Sequence, residues 1–141
     1  MIRQPTNQFL LFCHLTKLMS TALIVEDSLS DQELLCGCLL EGGLNVLKAY
    51  NAAEAIAKIS THKPDVIILD VVLPDRSGFE LCRELKGKAE TRKIPIVICS
   101  TKGGKLNQRW GLKHGADAYL VKPIDQTELV DTVKNLLRSI A

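Results

Sequence analysis

The run Asp65-Val-Ile-Ile-Leu-Asp70 decides the architecture of this chain of 141 residues. Its four central residues are apolar without alternation, which indicates a strand buried on both faces, as in a parallel sheet. Asp70 adds a carboxylate where that strand ends. Open α/β sheets carry their chemistry at the carboxyl ends of their strands, and an unpaired acid is costly to bury. Asp70 is therefore a candidate functional residue.

Short apolar runs alternate with longer amphipathic segments from residue 21 onward. The predicted strands are Ala22–Glu26, Asn45–Ala49, Val66–Asp70, Ile96–Cys99 and Ala118–Val121. The predicted helices are Asp31–Glu41, Ala52–Ser60, Gly78–Lys86, Lys105–His114 and Gln126–Ser139. Ser28 or Ser30 is expected to cap the first helix, and Asp125 the last. Five βα units predict an α/β fold with a doubly wound, five-stranded parallel sheet in the order 2-1-3-4-5, the flavodoxin-like arrangement.

The composition is that of a globular domain, with 46% hydrophobic and 24% charged residues, which excludes wholesale disorder. Arg3 and Lys17 are the only charged residues before residue 20, and the remainder is balanced in charge. No basic stripe is evident, so direct binding of nucleic acid is not expected. The five cysteines form no CxxC pair, which indicates reduced thiols and a cytoplasmic location.

The amino-terminal residues look separate from the domain. We expect residues 1–19 to be an extension and residues 20–141 to be the domain. The run Phe9–Leu15 is apolar but too short to cross a bilayer, so no membrane association is expected. Two interpretations stay open: a mobile or surface-docked extension, or a translation start at Met19.

Polar residues follow four of the predicted strands, which end at one edge of the sheet. Glu26 and Asp27 follow the first, Asp70 ends the third, Ser100 and Thr101 follow the fourth, and Lys122 follows the fifth. Three adjacent carboxylates repel one another unless a cation neutralises them, and Mg²⁺ suits a few carboxylates with phosphate oxygens. The lysine and a hydroxyl can contact phosphoryl oxygens. The remaining role is that of a nucleophile, which an aspartate can fill by forming an acyl phosphate.

Four segments resemble the receiver domain of bacterial two-component response regulators, of the stand-alone chemotaxis-regulator type. The resemblance covers residues 21–140, and each motif follows the last at the spacing of that family. The matching segments are Ala22–Ser28, Pro64–Gly78, Ile94–Ser100 and Gly115–Pro123.

The resemblance implies a phosphoacceptor site. Asp70 matches the aspartate that a histidine kinase phosphorylates in the presence of Mg²⁺. Glu26 and Asp27 match the metal-binding pair, with Asp70 and the backbone carbonyl of Val72 as further ligands. Lys122 matches the lysine that contacts the phosphoryl group, and its bond to the following proline is usually cis in the family.

The resemblance also implies a switch rather than an enzyme. Ser100 and Tyr119 match the two residues that reorient on phosphorylation. The surface of the fourth helix, fifth strand and fifth helix would then change its affinity for a downstream protein. Since no output segment follows in the sequence, we expect that effect to act in trans.

A weaker resemblance links residues 100–116 to regulators of pilus-motility chemosensory systems, and it depends on Trp110 and its neighbours. Two placements of Trp110 stay open: exposed on the fourth helix as a partner anchor, or packed between helix and sheet. A basic series on the same helix is a solvated face or a docking site for an acidic partner. Its members are Lys102, Lys105, Arg109 and Lys113.

Alternative functions remain. A pseudo-receiver that only binds partners keeps the fold without phosphorylation. A flavin-binding protein wants a phosphate-binding loop where Glu26 and Asp27 stand, and an aspartate-nucleophile phosphatase wants a second acid where Val72 stands. The two departures disfavour both enzyme-like alternatives.

Overall fold

Five strands alternate with five helices in the computed structural model, which describes residues 19–140. The predicted extension, residues 1–19, lies outside the described residues except for Met19. The strands are β1 (Thr21–Val25), β2 (Asn45–Ala49), β3 (Val66–Leu69), β4 (Ile96–Ser100) and β5 (Ala118–Val121). The helices are α1 (Leu29–Glu41), α2 (Ala52–His62), α3 (Gly78–Lys86), α4 (Lys105–Lys113) and α5 (Gln126–Ile140).

All strands are parallel, and their order across the sheet is β2-β1-β3-β4-β5. This confirms the predicted topology and every predicted element. The bounds differ slightly at the site: Glu26 and Asp70 lie one residue beyond their strands, whereas Ser100 is the last residue of β4. The polar site residues therefore lie at the last position of a strand or directly after it.

The uninterrupted apolar strands are buried on both faces, as predicted. Ile67 and Leu69 of β3 pack beneath α2 and α3 in one hydrophobic cluster. Val66 and Ile68 pack beneath α1 and α5 in the other. Successive side chains of a strand point to opposite faces, so one strand contributes to two cores, and the sheet becomes a rigid platform for its edge.

Side-chain caps start the helices where the sequence predicts them. The Ser28 hydroxyl accepts a hydrogen bond from the backbone N–H of Asp31 at 3.3 Å, so Ser28 rather than Ser30 caps α1. Asp125 accepts from the backbone N–H of Thr127 at 2.9 Å before α5. Such caps satisfy amide groups that the first helical turn leaves without partners.

The loop from β3 to α3 is held by a contact with another helix. The Asp75 carboxylate accepts hydrogen bonds from the backbone N–H groups of Ala52 and Ala53, at 2.9 and 3.0 Å. These amides form the first turn of α2, where the helix dipole favours a negative charge. The hydrogen bonds lower the pKa of Asp75, and they anchor the loop that follows Asp70.

The four cysteines of the described residues are buried, unpaired thiols. Cys36, Cys38, Cys82 and Cys99 are buried and free. Desolvation raises the pKa of Cys82 to about 11 and that of Cys99 to about 12, so both thiols stay protonated at neutral pH.

No helix within residues 19–140 has the length and apolar content that crossing a membrane requires.

Candidate functional site

Backbone hydrogen bonds between neighbouring strands bring the predicted site residues to one edge. The N–H of Asp70 donates to the carbonyl of Val25 at 3.0 Å, so Asp70 lies beside the end of β1. The N–H of Lys122 donates to the carbonyl of Ser100 at 2.9 Å, so Lys122 lies beside the end of β4. The parallel register thus gathers residues separated by almost a hundred positions.

Three carboxylates converge at this edge. One carboxylate oxygen each from Glu26, Asp27 and Asp70 lies within 4.8 Å of the others. Glu26 is 1% exposed and Asp70 is 9% exposed, whereas Asp27 is exposed. Carboxylate oxygens are the hard donors that Mg²⁺ prefers, and the exposed acid leaves the cluster open to solvent. This donor set fits the predicted ion.

Lys122 reaches into the same cluster. Its ammonium group donates hydrogen bonds to Glu26 and, at 3.0 Å, to Asp31, and lies 3.5 Å from Oδ2 of Asp70. The peptide bond to Pro123 is cis. Sequence reasoning missed Asp31. The available signal was its position in the first turn of α1, a helix that begins right after the Glu26–Asp27 pair.

The charges of the cluster are unequal, with more carboxylates than ammonium groups. Burial raises the pKa of Glu26, and the neighbouring charge of Asp70 adds to that rise, while the Lys122 and Ser28 hydrogen bonds oppose it. Burial opposes the charged form of Lys122, but its hydrogen bonds to Glu26 and Asp31, together with the negative charges of Asp70 and Glu26, outweigh burial and raise its pKa. Both shifts favour protonation, as expected in a negatively charged cluster that a divalent cation would relieve.

The loop after β3 fixes the Asp70 carboxylate. Oδ1 accepts a 2.7 Å hydrogen bond from the N–H of Val71, and the N–H of Val72 lies 3.5 Å away. Oδ2, the other oxygen, faces Lys122. The turn is closed by a 2.7 Å hydrogen bond from the N–H of Gly78 to the carbonyl of Val71. The side chain of Val72 is exposed.

Ser100 and Tyr119 both contact the backbone of one residue in the β4–α4 loop, Lys102. The Ser100 hydroxyl, which is fully buried, accepts a 3.1 Å hydrogen bond from the N–H of Lys102. The Tyr119 hydroxyl donates at 2.5 Å to the carbonyl of the same residue. The backbone of Lys102 is thus held at both ends by the two predicted switch residues.

Gly111 makes room for the Tyr119 ring against α4. A Cβ atom at this position would lie 2.8 Å from Cδ2 and 3.0 Å from Cε2 of Tyr119, and 3.1 Å from Cδ1 of Ile98. The neighbouring Trp110 is 47% exposed. Of the two placements left open, the structure has the exposed one.

We expect Gly111→Ala to displace the Tyr119 ring and to lower the free energy of unfolding by about 1–2 kcal/mol, as overpacking does. Gly37→Ala is the matched control, because Gly37 lies in α1 with no atom within 4 Å of the new Cβ. The control should stabilise the protein by about 1 kcal/mol through helix propensity. Urea unfolding and the NMR shifts of the Tyr119 ring measure both effects. Equal stabilisation by the two substitutions would contradict a packed Tyr119–Gly111 contact.

An exposed surface combines apolar and basic side chains beside β5. We call it the α4 surface; its apolar members are Leu106, Trp110, Leu112 and Val121, and its basic members are Lys102, Lys105, Arg109 and Lys113. The Lys113 ammonium lies 5.5 Å from the centre of the Trp110 ring, which stacks obliquely on His114. Exposed apolar groups with cations among them suit a partner with apolar and acidic groups.

Comparisons with known proteins agree on one family. Residues 22–134 match the family model described as the response regulator receiver domain. A Pseudomonas aeruginosa protein named PilH is 39% identical over 119 residues, which cover 84% of this chain and 98% of PilH. The phosphate regulon transcriptional regulatory protein PhoB of the same organism is 42% identical over 118 residues, 84% of this chain but 52% of PhoB.

A solved structure shows the same likeness. The chemotaxis response regulator CheY4 of Vibrio cholerae superposes with a TM-score of 0.77 at 30% sequence identity, covering 84% of this chain and 98% of CheY4. The sequence resemblance, the fold and these comparisons are therefore consistent over the described domain.

Proposed function

The chain belongs to the response regulator receiver-domain family of two-component systems, and from this premise we propose that Asp70 is its phosphoacceptor. The observation that carries the proposal is the convergence of Glu26, Asp27 and Asp70 with Lys122 at one sheet edge. Receiver domains are signalling modules, and we infer that this one is a cytoplasmic switch rather than an enzyme. The likeness to PilH favours a chemosensory pathway of the pilus-motility type.

Phosphoryl transfer requires a nucleophile aligned with a phosphorus atom. In the proposed reaction, one carboxylate oxygen of Asp70 attacks the phosphorus of a phosphohistidine on the kinase. The new O–P bond forms as the P–N bond breaks, and the bonding electron pair stays on the departing imidazole nitrogen. Hydrogen bonding to Oδ1 by the N–H of Val71 leaves Oδ2 the freer oxygen, so we assign the attack to Oδ2.

The remaining side chains of the site would stabilise the negative charge of the phosphoryl group. Glu26, Asp27 and Asp70, with the backbone carbonyl of Val72, would hold Mg²⁺, which when bound would neutralise the acids and the phosphoryl oxygens. Lys122 stays protonated because two carboxylates hold it. Its charge stands 3.5 Å from Asp70, where negative charge would increase on phosphorylation. Electrostatic stabilisation of this kind is often the largest contribution to phosphoryl transfer.

Ser100 and Tyr119 would carry the signal to the α4 surface. The Ser100 hydroxyl accepts from the N–H of Lys102 and can donate its own O–H to a phosphoryl oxygen, a charged and therefore strong acceptor, so we expect it to reorient toward Asp70 on phosphorylation. The carbonyl of Lys102 holds the Tyr119 hydroxyl, so the two movements are joined. We propose that α4, β5 and α5 then bind a downstream protein whose contact surface is acidic and apolar.

The test is phosphorylation by acetyl phosphate with Mg²⁺, read by intact mass. The wild type is expected to gain one phosphoryl group, while Asp70→Asn gains none because an amide is not a nucleophile. Asp65→Asn is the matched control: Asp65 precedes the same strand at its opposite end, and an asparagine oxygen can still accept the hydrogen bond from Thr21. The control should be phosphorylated normally.

Chelation of Mg²⁺ should abolish the mass change in the wild type. If neither acetyl phosphate nor beryllofluoride modifies the wild-type protein, the phosphoacceptor role is wrong. A partner-binding pseudo-receiver would then be the better description of this chain.

A further inference from the structure

Four carboxylates lie at the sheet edge that carries the site, but only three of them are close enough together to share one metal ion. Glu26, Asp27 and Asp70 lie within reach of one common ion, and Asp31 is not one of that group. Asp31 contacts Lys122 instead, at 3.0 Å. Glu26 belongs to both sets, since it also accepts a hydrogen bond from Lys122.

We propose that Asp31 is a positioning residue that holds the Lys122 ammonium beside Asp70, separately from the acids that bind the metal; the inference rests on the proposed function of Asp70. An ammonium group has three N–H donors. Glu26 and Asp31 each take one, which leaves one for a group on Asp70. When Glu26 binds the metal ion, Asp31 remains as a carboxylate that contacts only the lysine.

The placement of Asp31 is fixed by its neighbours. Its own N–H is capped by Ser28 at 3.3 Å. The next residue, Gln32, is fully buried and donates from its side chain to the carbonyls of Ile24, Glu26 and Ala49, each at 3.2 Å. These bonds tie the first turn of α1 to the ends of β1 and β2. The hydrogen bonds of Ser28 and Gln32 therefore fix the helical turn from which Asp31 contacts Lys122.

The exposure of Asp31 suits this role. Its side chain is 39% exposed, against 11% for Lys122. The Asp31 carboxylate, in the first turn of α1, therefore meets the Lys122 ammonium at the solvent-facing side of the cluster.

The first test compares beryllofluoride binding at saturating Mg²⁺, followed by ¹⁹F NMR. We expect Asp31→Asn to weaken binding about fivefold, the effect of losing one partly exposed charged hydrogen bond. Asp31→Glu should restore most of the affinity, because a longer carboxylate can still meet the ammonium. Glu33→Gln is the matched control: it removes the same charge from α1, but Glu33 pairs with Lys48. Its affinity should equal that of the wild type.

The second test needs no phosphoryl group or metal. In a double-mutant cycle followed by urea unfolding of the metal-free protein, Asp31→Asn and Lys122→Met should be non-additive, since both remove one contact. Additive effects, or equal beryllofluoride affinity in Asp31→Asn and Glu33→Gln, would overturn the role of Asp31. Failure of the wild type itself to bind beryllofluoride would instead overturn the proposed function, and the role of Asp31 with it, even where the cycle shows coupling.

Discussion

Replacing Gly78 with alanine is expected to lower the free energy of unfolding by about 3 kcal/mol or more, at the upper end of overpacking effects. A Cβ atom there would lie 2.0 Å from the carbonyl oxygen of Asp70 and 2.9 Å from Cα of Val71. Both are backbone atoms, so no side-chain rotation relieves the clash. The turn would have to open, breaking the hydrogen bond from Gly78 to Val71.

Opening that turn also moves Asp70 away from Glu26 and Asp27. We therefore expect Gly78→Ala to weaken Mg²⁺ binding, measured by titration, in addition to its effect on urea unfolding. Gly87→Ala is the matched control at the other end of α3. A Cβ at Gly87 would lie 3.3 Å from the carbonyl oxygen of Arg83, so this substitution should change stability far less. Similar losses for both variants would show that the close approach at Asp70 is not a constraint.

Replacing Lys122 with methionine is expected to destabilise the metal-free protein by about 3 kcal/mol. Removal of one partner from a buried ion pair leaves an uncompensated charge, at a cost of about 3–5 kcal/mol. Glu26 is 1% exposed and would lose its ammonium partner, as would Asp70 at 3.5 Å. Urea unfolding at neutral pH in the presence of a chelator measures the loss.

Two further variants separate charge from packing. Adding Glu26→Gln to Lys122→Met should recover part of the stability, because the buried charge is then removed as well. Lys105→Met is the control for loss of a lysine, since Lys105 is exposed on α4, and exposed substitutions usually change stability by about 0.5 kcal/mol or less. A Lys122→Met protein as stable as Lys105→Met would mean that the lysine does not neutralise the cluster.

The fold was predictable because its signals lie in adjacent residues. Val66 to Leu69 read as a strand buried on both faces, and the structure assigns alternate residues of it to two cores. The topology follows from alternating strands and helices. Residues that end parallel strands had to meet at one edge, so the grouping of Glu26, Asp27 and Asp70 could be foreseen. Their roles in phosphorylation stay predictions.

The missed features depend on how a loop or helix turn places a side chain. Asp31 is 91 positions from Lys122, and their contact depends on where the first turn of α1 lies at the sheet edge. Asp75 meets α2 because the loop after β3 brings its carboxylate to the backbone N–H groups of Ala52 and Ala53. Gly111 is buried in α4, yet a glycine adds nothing to a hydrophobic pattern. The hydrophobic pattern therefore did not show that α4 faces the sheet through Gly111, and both placements of the neighbouring Trp110 stayed open.

The anchored loop after Asp70 makes the two sides of the site unequal in the contacts that hold them. On one side, Asp75 ties the chain to α2 and α3 buries Gly78, Leu81, Cys82 and Leu85. On the other side, α4 buries only Gly111 among its nine residues, and Lys102 is held by two hydroxyl groups. If Asp70 is phosphorylated as proposed, we therefore expect the resulting rearrangement to move the β4–α4 loop and α4 more than the β3–α3 loop and α3.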